Sequence, residues 1–276
     1  MPHRPAALLA LTLAACPHPL RFGPEGEIRD PRLVLERLDA RSQRLRSVKG
    51  EARVRVKSPQ QSGAVSELIA AQRPASLHLE TLNFFGKPVA ALSTNGETFA
   101  LFVEQTATFY TGPATAANVS RLAVVELEPR DVVALLLGDI PRLAAPDPKM
   151  VIDTEARAYR LTLAQAGATQ ELWVATADLA PLRSQLRGDT SYDVALSDFE
   201  DAEGTALPRS LELTSIGADG RPIGVELKVH FTEREVNPEL PASLFALEQP
   251  PGTARVDLDA QGRTRSGEAA PRAPLP

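Results

Sequence analysis

The sequence predicts a mainly β fold, an antiparallel meander long enough to curl, with a few helices set against it. Three observations carry this. About a dozen short runs alternate apolar with polar residues, the period of half-buried strands. Turn-forming pairs such as Asn95-Gly96, Gly188-Asp189, Glu203-Gly204 and Asp219-Gly220 separate those runs. Helix start signals stand out in two places only, and sheets of more than about 10 strands tend to curl. The 276 residues, 43% hydrophobic, suffice for one large core. A net charge of -5, with both signs mixed, argues against a nucleic-acid partner. The single cysteine excludes an intrachain disulfide framework and a cysteine-based zinc site. No apolar run approaches the ~20 residues that a membrane span requires.

The N-terminus carries the most specific signal. Residues 1–4 are basic, 5–15 carry no charge, and Cys16 follows Leu13-Ala14-Ala15. So short an apolar run behind a basic start is the h-region of a secretory signal. With the cysteine it resembles the bacterial lipobox, in which Cys16 receives a diacylglycerol and becomes the mature N-terminus. Two or more acyl chains anchor stably, at about 0.8 kcal/mol per buried methylene. The expected organisation is a lipoprotein signal peptide over 1–15, a tether over 16–28, a folded domain over 29–252 and a disordered tail over 253–276. Pro17 follows the cysteine in place of the aspartate that retains enterobacterial lipoproteins at the inner membrane. The expected location is therefore the bacterial outer membrane, at its periplasmic face, with the membrane as a partner through Cys16.

Asp30 and Pro31 form a helix start, cap and first position. Val34, Leu38 and Leu45 make its apolar stripe, and Arg37, Arg41 and Arg44 recur on another face. Segment 29–57 holds ten basic and four acidic residues. That reads as a solvated helix face, or as contact with anionic headgroups or an acidic partner. After Gly50, Ala52, Val54 and Val56 alternate with Arg53, Arg55 and Lys57 as a strand. Further strands are expected at 65–71, 76–82, 88–93, 99–104, 107–111, 158–164, 170–175, 182–187, 191–199, 209–214 and 225–232. Between them, Pro129 and Gly138 bracket a short helix that is apolar almost all round. Such a helix must be covered, by the concave face of the sheet or by an apolar ligand.

Catalytic motifs are missing from the sequence, and no enzyme activity, cofactor or metal is expected. His78 and His230 alternate with apolar strand residues and should face away from the interior. The acidic run Asp198, Glu200, Asp201 and Glu203 reads as a solvated turn.

Several segments together resemble the Lol lipoprotein carrier/receptor superfamily, the LolA/LolB-like fold. They include Ser47-Val48-Lys49-Gly50-Glu51 within 45–54, Arg73-Pro74-Ala75-Ser76-Leu77 and Leu82-Asn83-Phe84-Phe85-Gly86-Lys87-Pro88-Val89. Asn95-Gly96, Val236-Asn237-Pro238 and Leu244-Phe245-Ala246-Leu247 complete the set. The resemblance is nearest to the outer-membrane lipoprotein receptor, LolB, and its lipoprotein relatives. It implies an unclosed β-barrel, a half-barrel plugged by helices, whose cavity takes acyl chains of lipids or client lipoproteins. It also implies three acyl chains on Cys16 and a periplasmic carrier protein as a partner in lipoprotein localisation. The receptor's exposed membrane-inserting leucine loop finds no assignable position here. The alternative is a non-transporting envelope-assembly or scaffolding lipoprotein on the same fold, its helix simply filling the half-barrel.

In a curled sheet the cavity lining comes from one parity of each strand. The expected lining is Val54 and Val56 with Ala52, then Leu77, Leu79, Phe99 and Leu101 with Val103, and finally Val225, Leu227, Val229 and Phe231. Val132, Leu135 and Leu136 of the mid-chain helix should close over it.

Overall fold

Asp30 caps the first helix, α1 (Pro31–Arg44), by accepting the Arg32 N–H, and Pro31 occupies the first turn. The computed structural model describes residues 20–59, 61–123, 126–264 and 266–267. The expected signal peptide and Cys16 lie outside the described residues.

Strands β1 (Ser47–Lys57), β2 (Ser62–Gln72), β3 (Ser76–Leu82), β4 (Pro88–Thr94), β5 (Thr98–Val103) and β6 (Thr108–Pro113) form a first meander. Helices α2 (Ala116–Ala123) and α3 (Pro129–Leu136) follow. A second meander comprises β7 (Lys149–Asp153), β8 (Ala158–Gln165), β9 (Ala168–Ala175), β10 (Pro181–Arg187), β11 (Tyr192–Ala202), β12 (Thr205–Ile216) and β13 (Pro222–Val236). A last strand, β14 (Ala254–Asp257), lies parallel to β6. All belong to one 14-stranded sheet whose end strands are β14 and β7. The sheet is unclosed, mainly antiparallel, and carries its helices against one face, the half-barrel that the sequence reading implies.

The two meanders meet where β1 pairs β13, with Val54 opposite Val229 and a bulge between Glu51 and Ala52. Gly50 permits that close approach, because a Cβ there would sit 2.1 Å from the Glu233 carbonyl oxygen. On the inner face, one parity of each strand joins a single apolar cluster with Val34 and Leu38 of α1 and Val133, Leu135 and Leu136 of α3.

Helix α3 ends as its sequence demands. Gly138 takes φ +67, its N–H bonds the Leu135 carbonyl at 3.0 Å, and the Asp139 N–H bonds the Ala134 carbonyl at 2.9 Å. This paired arrangement is a Schellman stop, which needs the left-handed backbone that glycine adopts freely. A Cβ at 138 would also meet Pro208 Cδ at 2.5 Å, so the same glycine lets the helix end seat on β12.

Two expectations are corrected and a third is refined. Part of the tail expected to be disordered is ordered: β14 pairs β6, Leu258 is buried, and Asn118 Nδ2 donates to the Asp259 carbonyl at 3.0 Å. Backbone bonding to the open edge of β6 orders a segment that has few large apolar side chains. The expected tether is docked over its described part. Gly23 N–H bonds the Thr176 carbonyl at 3.0 Å, and Ile28 N–H bonds Tyr159 Oη at 2.9 Å. Finally, His78 lies on the outer face as expected but is only 9% exposed. Its Nδ1 is 2.7 Å from Ser93 Oγ and its Nε2 3.0 Å from Glu80 Oε1. The 3-10 turn Ala242–Phe245 packs on β3 and β4, which explains why that part of the outer face is not solvent.

Candidate functional site

Helix α3 is the element around which a site is built. Val133, Ala134, Leu135 and Leu136 are buried and Val132 is half-buried, so the helix is covered nearly all round. Between it and β12–β13 lies a narrow apolar crevice of ≈ 40 Å³. Its walls are Leu127, Val132, Leu135 and Leu136 on one side and Leu211, Leu213, Leu227 and Val229 on the other. Water in the liquid takes about 30 Å³ per molecule, and ligand pockets usually run from about 300 Å³ upward. The crevice is therefore a seam closed by the helix, with the space above the sheet filled by α1 and α3 side chains.

All the residues expected to line the cavity belong to or pack on this one apolar cluster. Val54, Val56, Leu77, Leu79, Phe99, Leu101, Leu135, Leu136, Val229 and Phe231 are buried in it, and Val132, Val225 and Leu227 pack against it half-buried. The crevice itself brings together Val132, Leu135, Leu136, Leu227 and Val229. It does not include Leu77, Leu79, Phe99 or Leu101, which lie on the β3–β5 side of the sheet. Sequence reasoning missed Leu127, Leu211 and Leu213. The last two alternate with Ser210 and Glu212, so the signal was present in the parity of β12.

One buried acid, Glu67, sits on the inner face. Glu67 lies on β2 between Val65 and Ile69, opposite Ala52 of β1 and Thr81 of β3. It is 6% exposed, and a carboxylate oxygen accepts from Thr81 Oγ1 at 3.2 Å. Burial pushes its carboxyl up to about 7, and the Thr81 hydrogen bond only partly opposes that.

A second missed feature is the tip between β3 and β4. Phe84 and Phe85 are 97% and 82% exposed, with ring centroids 5.6 Å apart in an edge-on arrangement. Asn83 holds the tip: its Oδ1 accepts from the N–H of Phe85 at 2.9 Å and of Lys87 at 3.0 Å. Gly86 supplies the positive φ the turn needs. Two adjacent, fully presented phenylalanines on a well-tied turn are an apolar contact surface. The pair sat in one of the motifs quoted above, between two expected strands; only the tertiary structure shows its exposure.

The acidic run of β11 is engaged internally. Glu200 takes Arg209 at 2.6 Å and Arg234 at 2.8 Å, and Asp198 accepts from Ser210 Oγ. Among the described residues no helix is long and apolar enough to cross a membrane.

No family model and no curated protein matches the sequence. Solved structures do match in shape. A LolA superfamily protein from Nitrosomonas europaea superposes with TM-score 0.50 at 11% identity, over 80% of this chain and 99% of its own. The fold is LolA/LolB-like. A domain from Vibrio parahaemolyticus, provisionally assigned to outer membrane lipoprotein sorting, gives TM-score 0.51 at 9% identity over 78% of this chain and 95% of its own. A DUF1329 family protein from Desulfovibrio piger gives 0.52 at 12% over 77% and 94%. At such identities the likeness is one of fold, and function in this LolA/LolB-like chain rests on its own residues.

Proposed function

We propose that this chain is an envelope lipoprotein, anchored through Cys16 at the periplasmic face of the outer membrane. In this reading it takes up acyl chains of lipids or client lipoproteins by displacing α3 from the seam at β12–β13. The observation that carries the reading is the all-aliphatic seam beneath a short helix whose N-terminal end has no side-chain cap. Glu128 makes no side-chain cap at the N-terminal end of α3. Asp139, just past its C-terminal end, is held by Arg73 at 3.3 Å and Arg142 at 2.7 Å.

Magnitudes favour the exchange. Burying about 15 methylenes gains roughly 12 kcal/mol, whereas uncovering Val132, Leu135 and Leu136 costs roughly 2 kcal/mol each. The chemistry is non-covalent and calls for no catalytic group. Placement in lipoprotein localisation beside a periplasmic carrier is supported by the fold and by the lipobox-like start. The Phe84–Phe85 tip adds a second place at which the domain touches lipid.

The near-filled seam favours one competing reading, a scaffolding lipoprotein whose α3 never leaves. Titrating full-length Cys16→Ala protein with a fluorescent fatty acid separates the two. Saturable binding that unlabelled palmitate displaces supports the carrier reading; no saturable binding leaves the scaffold.

A further inference from the structure

On α1, Val34, Leu38, Arg41 and Leu45 follow one another along the buried stripe, so an arginine occupies a core position. Arg41 is only 9% exposed, yet its guanidinium donates to a neutral group, the Ala206 carbonyl. Among the described residues, neither Arg41 nor Arg44 has a carboxylate within the 4.0 Å of an ion pair. Burial lowers the pKa of Arg41, the nearby carboxylates of Asp139 and Asp178 oppose that, and the guanidiniums of Arg142 and Arg73 lower it further. A buried cation without a bonded anion is costly unless something else supplies one.

Arg41 opens into a pocket of ≈ 200 Å³ lined also by Arg37, Arg44, Asp178 and the 204–206 backbone. Three arginines and one carboxylate, that of Asp178, are among its lining residues. Arg37 also pairs Glu25 at 2.8 Å, in the docked segment leading back towards Cys16. Arg41 and Arg44, both in the last turn, also answer the helix dipole, but that effect does not require Arg41 to be buried. At about 30 Å³ per water the volume admits a tetrahedral oxyanion with some of its hydration.

We propose that Arg37, Arg41 and Arg44 form a binding site for a phosphate group, beside the turn between β11 and β12. The guanidinium fork suits phosphate oxygens, and two such donors on successive turns of one helix reach the same anion. A lipid headgroup and free phosphate offer the same chemistry.

Calorimetry on full-length Cys16→Ala protein in about 150 mM NaCl, where the Debye length is about 8 Å, tests the site. Inorganic phosphate and monomeric dihexanoyl phosphatidylglycerol are titrated separately. Saturation by phosphate assigns a free anion, and saturation by the lipid alone assigns a headgroup; both support the site. Arg44→Gln and Arg41→Lys should each weaken binding by about tenfold or more. Arg29→Gln, an exposed arginine outside the pocket, should bind as wild type. If Arg41→Lys fails to fold, Arg37→Gln and Arg44→Gln, both on the helix surface, carry the test. No saturation by either titrant, an equal loss in Arg29→Gln, or equal binding of phosphate-free dihexanoylglycerol overturns the proposal.

Discussion

Arg142 Nη1 lies 2.7 Å from Asp139 Oδ1 while its Nη2 lies 2.8 Å from Asp39 Oδ1, so one guanidinium ties the end of α3 to α1. Asp139 also receives Arg73, from the turn after β2, and the Ile140 N–H. The Arg142 guanidinium thus joins the two helices that cover the inner face, and in the carrier reading it is the point about which α3 would swing. Asp139→Asn removes the charge that Arg142 and Arg73 share. It should lower stability by about 3 kcal/mol in urea unfolding, the scale of breaking a buried pair. Stopped-flow mixing with a fluorescent fatty acid should also show faster uptake. Lost stability with unchanged uptake would mean that α3 does not move.

Leu135→Asn separates seam from core. Leu135 is 4% exposed and faces Leu211 and its neighbours across the crevice. The change leaves an unpaired amide among aliphatic side chains and should cost about 3 kcal/mol. If α3 is a displaceable plug, a saturating fatty acid should raise the melting temperature of wild type and leave that of Leu135→Asn unchanged. A large melting loss in a protein whose wild type binds no probe would end the carrier reading.

Glu67 makes stability fall with pH. Its folded-state value of about 7 lies above the ordinary 4.5, so the folded state holds the proton more tightly than the unfolded chain does. The stabilisation is complete below about pH 4.5 and is lost as the pH rises through about 7; at about 1.4 kcal/mol per pH unit it amounts to about 3 kcal/mol. Glu67→Gln keeps an acceptor for Thr81 and cannot ionise. Urea midpoints across about pH 5 to about pH 8 should slope downward for wild type and stay flat for the variant. Parallel slopes would refute the assignment.

Phe84→Ser/Phe85→Ser should leave the fold alone and affect lipid contact. Both rings are outside the core, so the melting temperature should correspond to wild type within about 0.5 kcal/mol. Flotation with phosphatidylglycerol-containing vesicles should fall by about tenfold or more, since each inserted ring contributes about 2 kcal/mol. Unchanged flotation would show that the tip does not touch the bilayer.

Reading along the chain revealed whatever local rules govern. Asp30 and Pro31 start a helix in any context, Gly138 stops one, and the alternation of Ala52, Val54 and Val56 against arginines and lysine places those strand faces without ambiguity. The same logic failed where alternation is masked. In β7, Val151 is exposed at 53% between Met150 and Ile152, and the apolar run shows no parity. In β14 the ordering force is backbone pairing to an open edge, which leaves little mark on side-chain composition. Phe84 and Phe85 fall in the connection between two expected strands, and only the structure shows that the turn at Asn83 presents both rings to solvent.

The sequence by itself determined the class of fold, where α1 and α3 begin and which residues are apolar on most strands, because these follow from periods of two and 3.6 and from backbone preferences of single residues; it gave no sign of α2. It also placed Leu135 and Leu136 on a helix that has to be covered. Only the tertiary structure decided what covers it, how little space remains beneath it, and that Glu67 and Arg41 are buried while Phe84 is not. Those outcomes depend on which strands become neighbours across the β1–β13 junction and where the two helices come to rest. Such contacts join residues far apart in the chain, and no local pattern specifies them.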